Sequence, residues 1–265
     1  MPPAKKRTRS YDPARTRAAV LAQFENVRTA VRTLTPEQLA LPTRLGDWTV
    51  RDLIAHLALT VASVSRALER DEPAKPDLTL LDHLSATAAH AGAIAEGSRD
   101  LAGATPDLDA LLTRTGEDLA RHLAAAPHTR VLAMRAGAMT LTDHLVTRAV
   151  ELVVHTDDLN AAVPGLDIPH DRQALATCTR LLADTLAAKA PGRSTEVRIP
   201  PYAVVQCVEG PRHTRGTPPH VVETDPLTWI RLATGRTTWQ DAVADGTVGA
   251  SGERADLGPY LPLMT

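Results

Sequence analysis

The chain has 265 residues, a formal net charge of −2 at pH 7, and a composition that is 43% hydrophobic but only 3% aromatic. This length allows one large domain or two small ones, and we predict two, with cores built mainly from alanine, leucine and valine. The near-neutral charge gives no electrostatic basis for a nucleic-acid partner or an anionic membrane partner, so we expect neither.

The sequence also lacks the patterns of membrane insertion, secretion and disulfide bonding. No stretch has the length and apolarity of a transmembrane helix, and the N-terminus lacks the apolar core of a signal peptide, so we expect a cytoplasmic protein. Cys178 and Cys207 are too few for a disulfide framework and have no CxxC spacing. We expect both to be buried thiols.

Helix signals recur through the first part of the chain. Residues 1–10 form a basic tail that we expect to be disordered. Asp12 followed by Pro13 begins an amphipathic helix, and Thr49 begins a second long helix with Asp52 at the capping-box position. Two further helices are predicted over residues 78–96 and 107–125.

The segment from Thr140 to Leu159 carries its polar residues in an unusual place. On a helix of 3.6 residues per turn, five ionisable side chains share a stripe about 80° wide, and the rest of the circumference is largely apolar. A surface helix has the opposite balance, so the pattern predicts a buried helix with a polar seam. The seam residues are His144, Arg148, Glu151, His155 and Asp158.

The long helices before residue 160 predict a four-helix bundle, whose core is a common place for metal sites. After a further helix from Asp171 to Lys189, short strand patterns alternate with helix starts at Asp225 and Thr238, which predicts a small α+β domain. The predicted strands cover residues 196–199, 202–208, 221–222 and 247–251. The predicted domains cover residues 11–165 for the bundle and 166–265 for the α+β domain.

Glu151 and His155 are four residues apart, so their side chains stand on one helical face about 6 Å apart at the Cβ atoms. A carboxylate and an imidazole at this spacing can bind one divalent metal ion. A solvated Glu/His pair is the alternative interpretation. His56, at the edge of the apolar face of the second helix, is a candidate third ligand or an ordinary hydrogen-bonded histidine. His83 and His90 hold similar edge positions on the third helix. We interpret both as surface residues, with a role in lining a pocket as the alternative.

Two segments give the chain a family resemblance. They are Gly46–His56, with the sequence GDWTVRDLIAH, and Arg148–Asp158, with the sequence RAVELVVHTDD. Together they resemble the mycothiol-dependent maleylpyruvate isomerase family, which belongs to the DinB-like group of metal-binding four-helix bundles. The C-terminal part, including Leu232–Arg236, looks like the sterol-carrier-like domain attached to some members. The resemblance therefore implies a DinB-like bundle followed by a small α+β sterol-carrier-like domain.

The resemblance also implies functional residues. It assigns the metal to His56, Glu151 and His155, with zinc as the first choice and nickel or iron as alternatives. Asp158 matches a family position that supports the site. Arg236, in the sequence Thr-Gly-Arg, matches the functional C-terminal arginine of the family; Arg215 is its rival for that role.

Two histidines and one carboxylate leave an open coordination position, as in catalytic zinc sites. A thiol entering it would become a thiolate, and because both cysteines lie outside the ligand motif, an external thiol is expected. The resemblance suggests mycothiol, with isomerisation or thiol transfer on a small electrophilic, maleylpyruvate-like substrate. Such isomerisation proceeds by thiolate addition, bond rotation and elimination, with an arginine holding the substrate carboxylate. The alternatives are a binding module for an apolar ligand with a non-catalytic metal site, and a non-haem iron site.

Overall fold

A computed structural model describes residues 9–87, 90–210 and 219–264, with residues 84–87 described by their backbone alone. Its first elements are α1 (Pro13–Val31), α2 (Pro36–Leu39), α3 (Val50–Leu68), α4 (Leu80–Thr87), α5 (Ala91–Ala104), α6 (Leu108–Ala125), β1 (Val131–Met134), β2 (Gly137–Thr140) and α7 (Leu141–Ala162). The chain continues with α8 (Arg172–Lys189), β3 (Thr195–Ile199), β4 (Ala203–Cys207), β5 (Val221–Thr224), α9 (Pro226–Ala233), α10 (Trp239–Ala244) and β6 (Val248–Ser251).

Capping side chains set where the long helices begin, as the sequence predicts. The side chain of Asp12 caps α1. At the start of α3, Thr49 Oγ1 accepts a hydrogen bond from the backbone N–H of Asp52, and the Asp52 carboxylate accepts one from the backbone N–H of Thr49. This reciprocal arrangement satisfies two backbone donors that the helix itself leaves free. It also fixes the first turn of the helix that carries His56.

The predicted four-helix bundle is present and consists of α1, α3, α6 and α7. Each of these helices packs against two others of the set. Helices α1 and α3 each contact both α6 and α7. Large aliphatic side chains with no solvent exposure fill the space between them, among them Leu53, Leu57, Leu112 and Leu152. The N-terminal region is therefore the helical domain that the sequence indicates.

The prediction of one helix over residues 78–96 is wrong. The structure has two helices there, α4 and α5, and α5 continues to Ala104. They pack against different partners, α4 against α7 and α5 against α3. Residues 86–97 are mostly alanine and glycine, so they present too few large apolar side chains to hold one continuous helix against one neighbour.

Helix α7 is the buried helix that its sequence predicts, because it contributes to two cores at once. Leu145 and Leu152 pack with α1, α3 and α6 in the bundle core. Val150 and Val153, on another side, pack with α8 and the C-terminal sheet. The polar seam runs between these two apolar surfaces, which explains why its side chains are largely withdrawn from solvent.

The C-terminal region forms the predicted α+β domain. Its sheet has the strand order β4-β3-β5-β6, in which β3 pairs antiparallel with β4 and parallel with β5, and β5 pairs antiparallel with β6. Helix α8 packs against β4 and also against α1 and α7, so it joins the sheet to the bundle. Within the described ranges, every helix falls short of the length and apolarity that a membrane span requires.

The residue limits predicted for the tail and the two domains stay a prediction. Most of the predicted basic tail, residues 1–8, lies outside the described residues. Its described end is held to the fold, since the Arg9 guanidinium lies 2.7 Å from the Asp184 carboxylate on α8.

The sequence did not predict the β1–β2 hairpin, since it shows only a short apolar segment there. The two strands pair antiparallel, with Val131 opposite Thr140. Gly137 has φ +145°, a conformation that other residues rarely adopt, and the Asp77 carboxylate accepts a hydrogen bond from the Ala138 N–H at 2.6 Å. These features fix a turn whose residues reach the candidate site.

Candidate metal centre

The three predicted metal ligands come together between α3 and α7. Glu151 Oε2 lies 3.2 Å from His56 Nε2 and 3.4 Å from His155 Nε2. The three ligand atoms all lie within 4.8 Å of one another. His56 is 6% exposed, and its ring meets that of His155 edge to face with a centroid distance of 4.9 Å. A histidine from α3 and a Glu/His pair from α7 thus form one cluster.

The hydrogen bonds of the two imidazoles show which nitrogen faces the cluster. His155 Nδ1–H donates to Asp158 Oδ2 at 2.8 Å. Ser98 Oγ donates to the backbone oxygen of Ile94, so it accepts from His56 Nδ1–H, 3.3 Å away. With both Nδ1 atoms paired in this way, each ring turns its Nε2 toward Glu151, and in the neutral Nδ1–H tautomer that nitrogen carries a lone pair.

This convergence of acceptor atoms fits a metal ion. One carboxylate oxygen faces two imidazole Nε2 atoms, and these three acceptor atoms repel one another unless a proton or a cation lies between them. Metal–ligand bonds near 2.0–2.1 Å at tetrahedral angles place ligand atoms about 3.3 Å apart, close to the Glu151–histidine distances. The partners of the outer ring nitrogens, Asp158 and Ser98, supply the supporting hydrogen bonds that metal-binding histidines usually make.

Burial and neighbouring groups shift the pKa of each residue in the cluster. Burial lowers the pKa of His56, so this ring is neutral at pH 7. Burial raises the pKa of Glu151, but hydrogen bonds with His155 and His56 outweigh it and hold the pKa well below its ordinary value. For His155, burial lowers the pKa, and the bonds to Asp158 and Glu151 outweigh burial and raise it. An ionised glutamate beside two histidines attracts a cation.

Asp158 joins the metal cluster to the C-terminal domain. Its side chain is fully buried, and Arg236 donates to both of its oxygens, from Nε at 3.2 Å and from Nη2 at 2.9 Å. Arg236 follows Gly235, whose φ of +71° lets the chain turn after α9. Arg44, from the loop before α3, donates to Asp158 as well. Burial raises the pKa of Asp158, but the bonds to His155 and Arg236 outweigh it and the net pKa is lowered.

Of the two arginines predicted to act at the site, Arg236 reaches the metal cluster through Asp158, which binds both Arg236 and His155. Arg215 lies outside the described residues.

Asp157, next to Asp158 in the chain, is also held by arginines, since it accepts hydrogen bonds from Arg231 and Arg44. Arg44 and Arg236 also line a cavity of about 630 Å³ where the two domains meet.

A second cavity, of about 360 Å³, borders the metal cluster inside the helical domain. His56 and Glu151 form part of its wall, and Met134 to Ala136 reach it from the hairpin turn. His83 and His90 also line it. This is the pocket-lining role that was the alternative interpretation of these two histidines. Its size is within the range of sites for small molecules. The cluster thus has an accessible side on which a small molecule can approach.

Two family models match the chain. The one described as the mycothiol maleylpyruvate isomerase N-terminal domain matches residues 20–160, more than half of the chain. The chain belongs to the mycothiol maleylpyruvate isomerase family. A second model, described as the bacterial SCP ortholog, matches residues 171–263.

Solved structures named for this family share the fold over nearly the whole chain. The crystal structure of the mycothiol-dependent maleylpyruvate isomerase aligns with a TM-score of 0.60 at 16% identity, covering 93% of this chain and 95% of that chain. A histidine-to-alanine mutant of such an isomerase aligns with a TM-score of 0.56 at 17% identity and the same coverage. At these identities the likeness establishes the fold. No curated protein that was compared matches the chain significantly.

Several residues that support the centre carry no signal in the sequence. Ser98 lies on α5, a helix whose limits were misplaced, so its contact with His56 could not be predicted. Arg44 lies in a loop and Arg231 on α9, where periodicity carries no information about distant partners. His144, the remaining histidine of the α7 stripe, is not in the ligand cluster and instead lines the 360 Å³ cavity.

Proposed function

We propose that the protein is a metal-dependent enzyme that uses mycothiol in an isomerase or S-transferase reaction on a small electrophilic, maleylpyruvate-like substrate. The observation that carries the proposal is the convergence of His56, Glu151 and His155 at the wall of a cavity. Membership of the mycothiol maleylpyruvate isomerase family supports the choice of thiol.

Each residue of the cluster has a defined task in this proposal. His56, Glu151 and His155 would hold a divalent metal, with zinc as the first choice and nickel or iron as alternatives that the same nitrogen and oxygen donors can bind. When bound, such an ion lowers the pKa of a coordinated thiol, so that the thiolate forms near neutral pH. Asp158 fixes the ring of His155, and Arg236 fixes Asp158, so we assign both as positioning residues.

The thiol of the proposed reaction comes from outside the chain. Cys178 and Cys207 have no solvent exposure and belong to the core around α8 and the C-terminal sheet. Burial raises the pKa of Cys178, so it stays a neutral thiol at physiological pH. A buried, protonated thiol is a poor nucleophile, which supports a small external thiol such as mycothiol.

An apolar-ligand binding module with a non-catalytic metal site is the alternative, and the cavity favours the enzyme. Arg148 is buried and lines the cavity that borders the cluster. A buried guanidinium is expensive to leave against an uncharged apolar ligand, because it needs hydrogen-bond acceptors. It suits a small polar substrate.

Metal analysis of the purified protein tests the proposal. We expect about one divalent metal ion per chain, and we expect His56→Ala, Glu151→Ala and His155→Ala each to lose most of it, since two remaining ligands hold an ion weakly. The exposed residue His128 offers a matched control, because His128→Ala removes an imidazole outside the cluster. Plasma mass spectrometry of the four variants, with circular dichroism to verify folding, gives the result.

Two outcomes of that experiment would count against the proposal. A folded wild-type protein that binds no divalent metal at micromolar concentration would remove its basis. Full metal occupancy in a folded Glu151→Ala variant would show that the ion is bound elsewhere.

A further inference from the structure

The cavity beside the metal cluster holds a buried positive charge that the fold itself does not neutralise. Arg148 lies on α7, one turn before Glu151, and is 9% exposed. Its one hydrogen bond among the described residues runs from Nε to Thr147 Oγ1, at 3.2 Å. No described carboxylate forms an ion pair with it, and the undescribed residues include no aspartate or glutamate. Arg148 lines the cavity, and neither of its amino groups forms a hydrogen bond with a described residue.

This state is unlike that of the other arginines near the centre. Arg236 and Arg44 are held by Asp158, and Arg231 is held by Asp157. A buried guanidinium keeps its charge at neutral pH, and burying it without a partner costs folding free energy. Glu151 is near enough to affect the Arg148 pKa but does not pair with it, and it already serves the two histidines.

His144 supplies a second, independent observation one turn earlier on α7. It is 1% exposed and lines the same cavity, yet neither ring nitrogen has a hydrogen-bond partner among the described residues. Buried polar groups in folded proteins are nearly always satisfied, so an imidazole with two free nitrogens indicates a missing ligand. Arg148 and His144 thus offer donors to the same enclosed space.

We propose that Arg148 and His144 form a binding site for a carboxylate group of a small molecule in the cavity beside the metal cluster. The two free amino groups of Arg148 match the two oxygens of a carboxylate, and a neutral imidazole adds one N–H donor. Glu151 is the one acidic residue among the described residues that line the cavity, so nothing else there competes for the guanidinium.

This inference rests on the proposed function for one point only, the assignment of the carboxylate to the electrophilic substrate. A carboxylate held by Arg148 lies one helical turn from Glu151, so the rest of a small substrate would extend toward the metal ligands. The site then selects electrophiles that carry an acid group. In this proposal the arginine that holds the substrate carboxylate is Arg148, on α7, and the role predicted for Arg236 or Arg215 stays a prediction.

Calorimetric titration with maleate, a small dicarboxylate, tests the site in the full-length protein, both metal-loaded and metal-free. We expect Arg148→Met to weaken maleate binding about tenfold or more, since it removes a charge-assisted pair, and Arg148→Lys to recover part of the affinity. His144→Leu should weaken binding less. Arg114→Met, at an exposed position on α6, is the matched control and should bind maleate like the wild type.

Stability separates a binding role of Arg148 from a structural one. Removing an unpaired buried charge should leave the unfolding free energy of the ligand-free protein unchanged or raise it, whereas removing a structural partner would lower it. Inorganic phosphate is the competing anion, and we expect it to displace maleate poorly because the site offers few donors for a third oxygen.

Equal maleate affinity in the wild type and a folded Arg148→Met variant would overturn the inference, as would absent binding in the wild type. Phosphate binding as tight as maleate binding would overturn the assignment to a carboxylate. The metal-free titration keeps the two proposals apart, because maleate can bind there even if the metal and thiol chemistry fails.

Discussion

At the scale of single residues, the centre depends on which atom each imidazole nitrogen faces. Asp158 and Ser98 accept from the outer nitrogens of His155 and His56, and this leaves both inner nitrogens directed at Glu151. The spacing of Glu151 and His155 on one helix made that pair predictable from the sequence. The outer partner of His56 was not predictable, because it depends on packing between α3 and α5.

The outer partner of His56 gives a prediction about metal affinity. Ser98→Ala removes the acceptor of His56 Nδ1–H, so the ring loses its fixed orientation and we expect metal affinity to fall about tenfold. Competition with a chromophoric chelator measures the affinity. Thr115→Ala is the control, since Thr115 makes the same kind of bond to a backbone oxygen four residues earlier but lies outside the cluster. Unchanged affinity in Ser98→Ala would show that Ser98 does not position the ring.

The two cysteines give a prediction about reactivity. Burial raises the pKa of Cys178, so the thiolate that reacts with disulfide reagents forms only far above neutral pH. We expect neither Cys178 nor Cys207 to react with dithionitrobenzoate in the native protein at pH 7, and both to react in denaturant. Rapid labelling of one thiol in the native state would contradict the assignment of an external thiol.

At the scale of elements, α7 contributes to both cores while carrying the polar seam. Its hydrophobic pattern was readable because a buried helix with a narrow polar stripe differs from any surface helix. The start of α3 was readable for another reason, since a capping box is a local signal. The segment that became α4 and α5 was misread, because its small residues say little about which helix they pack against.

The capping box of α3 gives a prediction about stability. Thr49→Ala leaves the Asp52 N–H without its side-chain acceptor, so we expect the free energy of unfolding to fall by about 1 kcal/mol. Thr129→Ala, at an exposed turn position, should change it by less than about 0.5 kcal/mol. Urea denaturation of both variants tests this. Equal stability of the two variants would mean that the cap does not stabilise α3.

At the scale of the whole molecule, ion pairs across the domain junction reach the metal cluster. Arg236 holds Asp158 with a side chain that is 13% exposed, while Arg231 holds Asp157 with one that is 43% exposed. The sequence predicted two domains and an arginine from the second domain near the centre. It could not show that this arginine binds Asp158, because that pairing depends on how α9 docks against α7.

These two ion pairs should differ in energy, because the more exposed pair is weakened by solvent. We expect Arg236→Gln to lower the free energy of unfolding by about 3 kcal/mol, since it leaves a buried carboxylate short of a partner. Arg231→Gln should cost about 1 kcal/mol or less. Arg236→Gln should also weaken metal binding through His155. Urea denaturation of metal-free protein gives the first comparison, and similar losses in both variants would contradict it.

Binding of mycothiol tests the central claim, that the cluster is a metal centre on which an external thiol becomes a thiolate. The measurement is a calorimetric titration of metal-loaded and metal-free protein near neutral pH, in two buffers of different ionisation enthalpy. Because a metal ion favours the thiolate, we predict binding to the metal-loaded protein with release of a proton, and little binding without metal. Mycothiol binding that is equally strong without metal, or that releases no proton, would contradict the account.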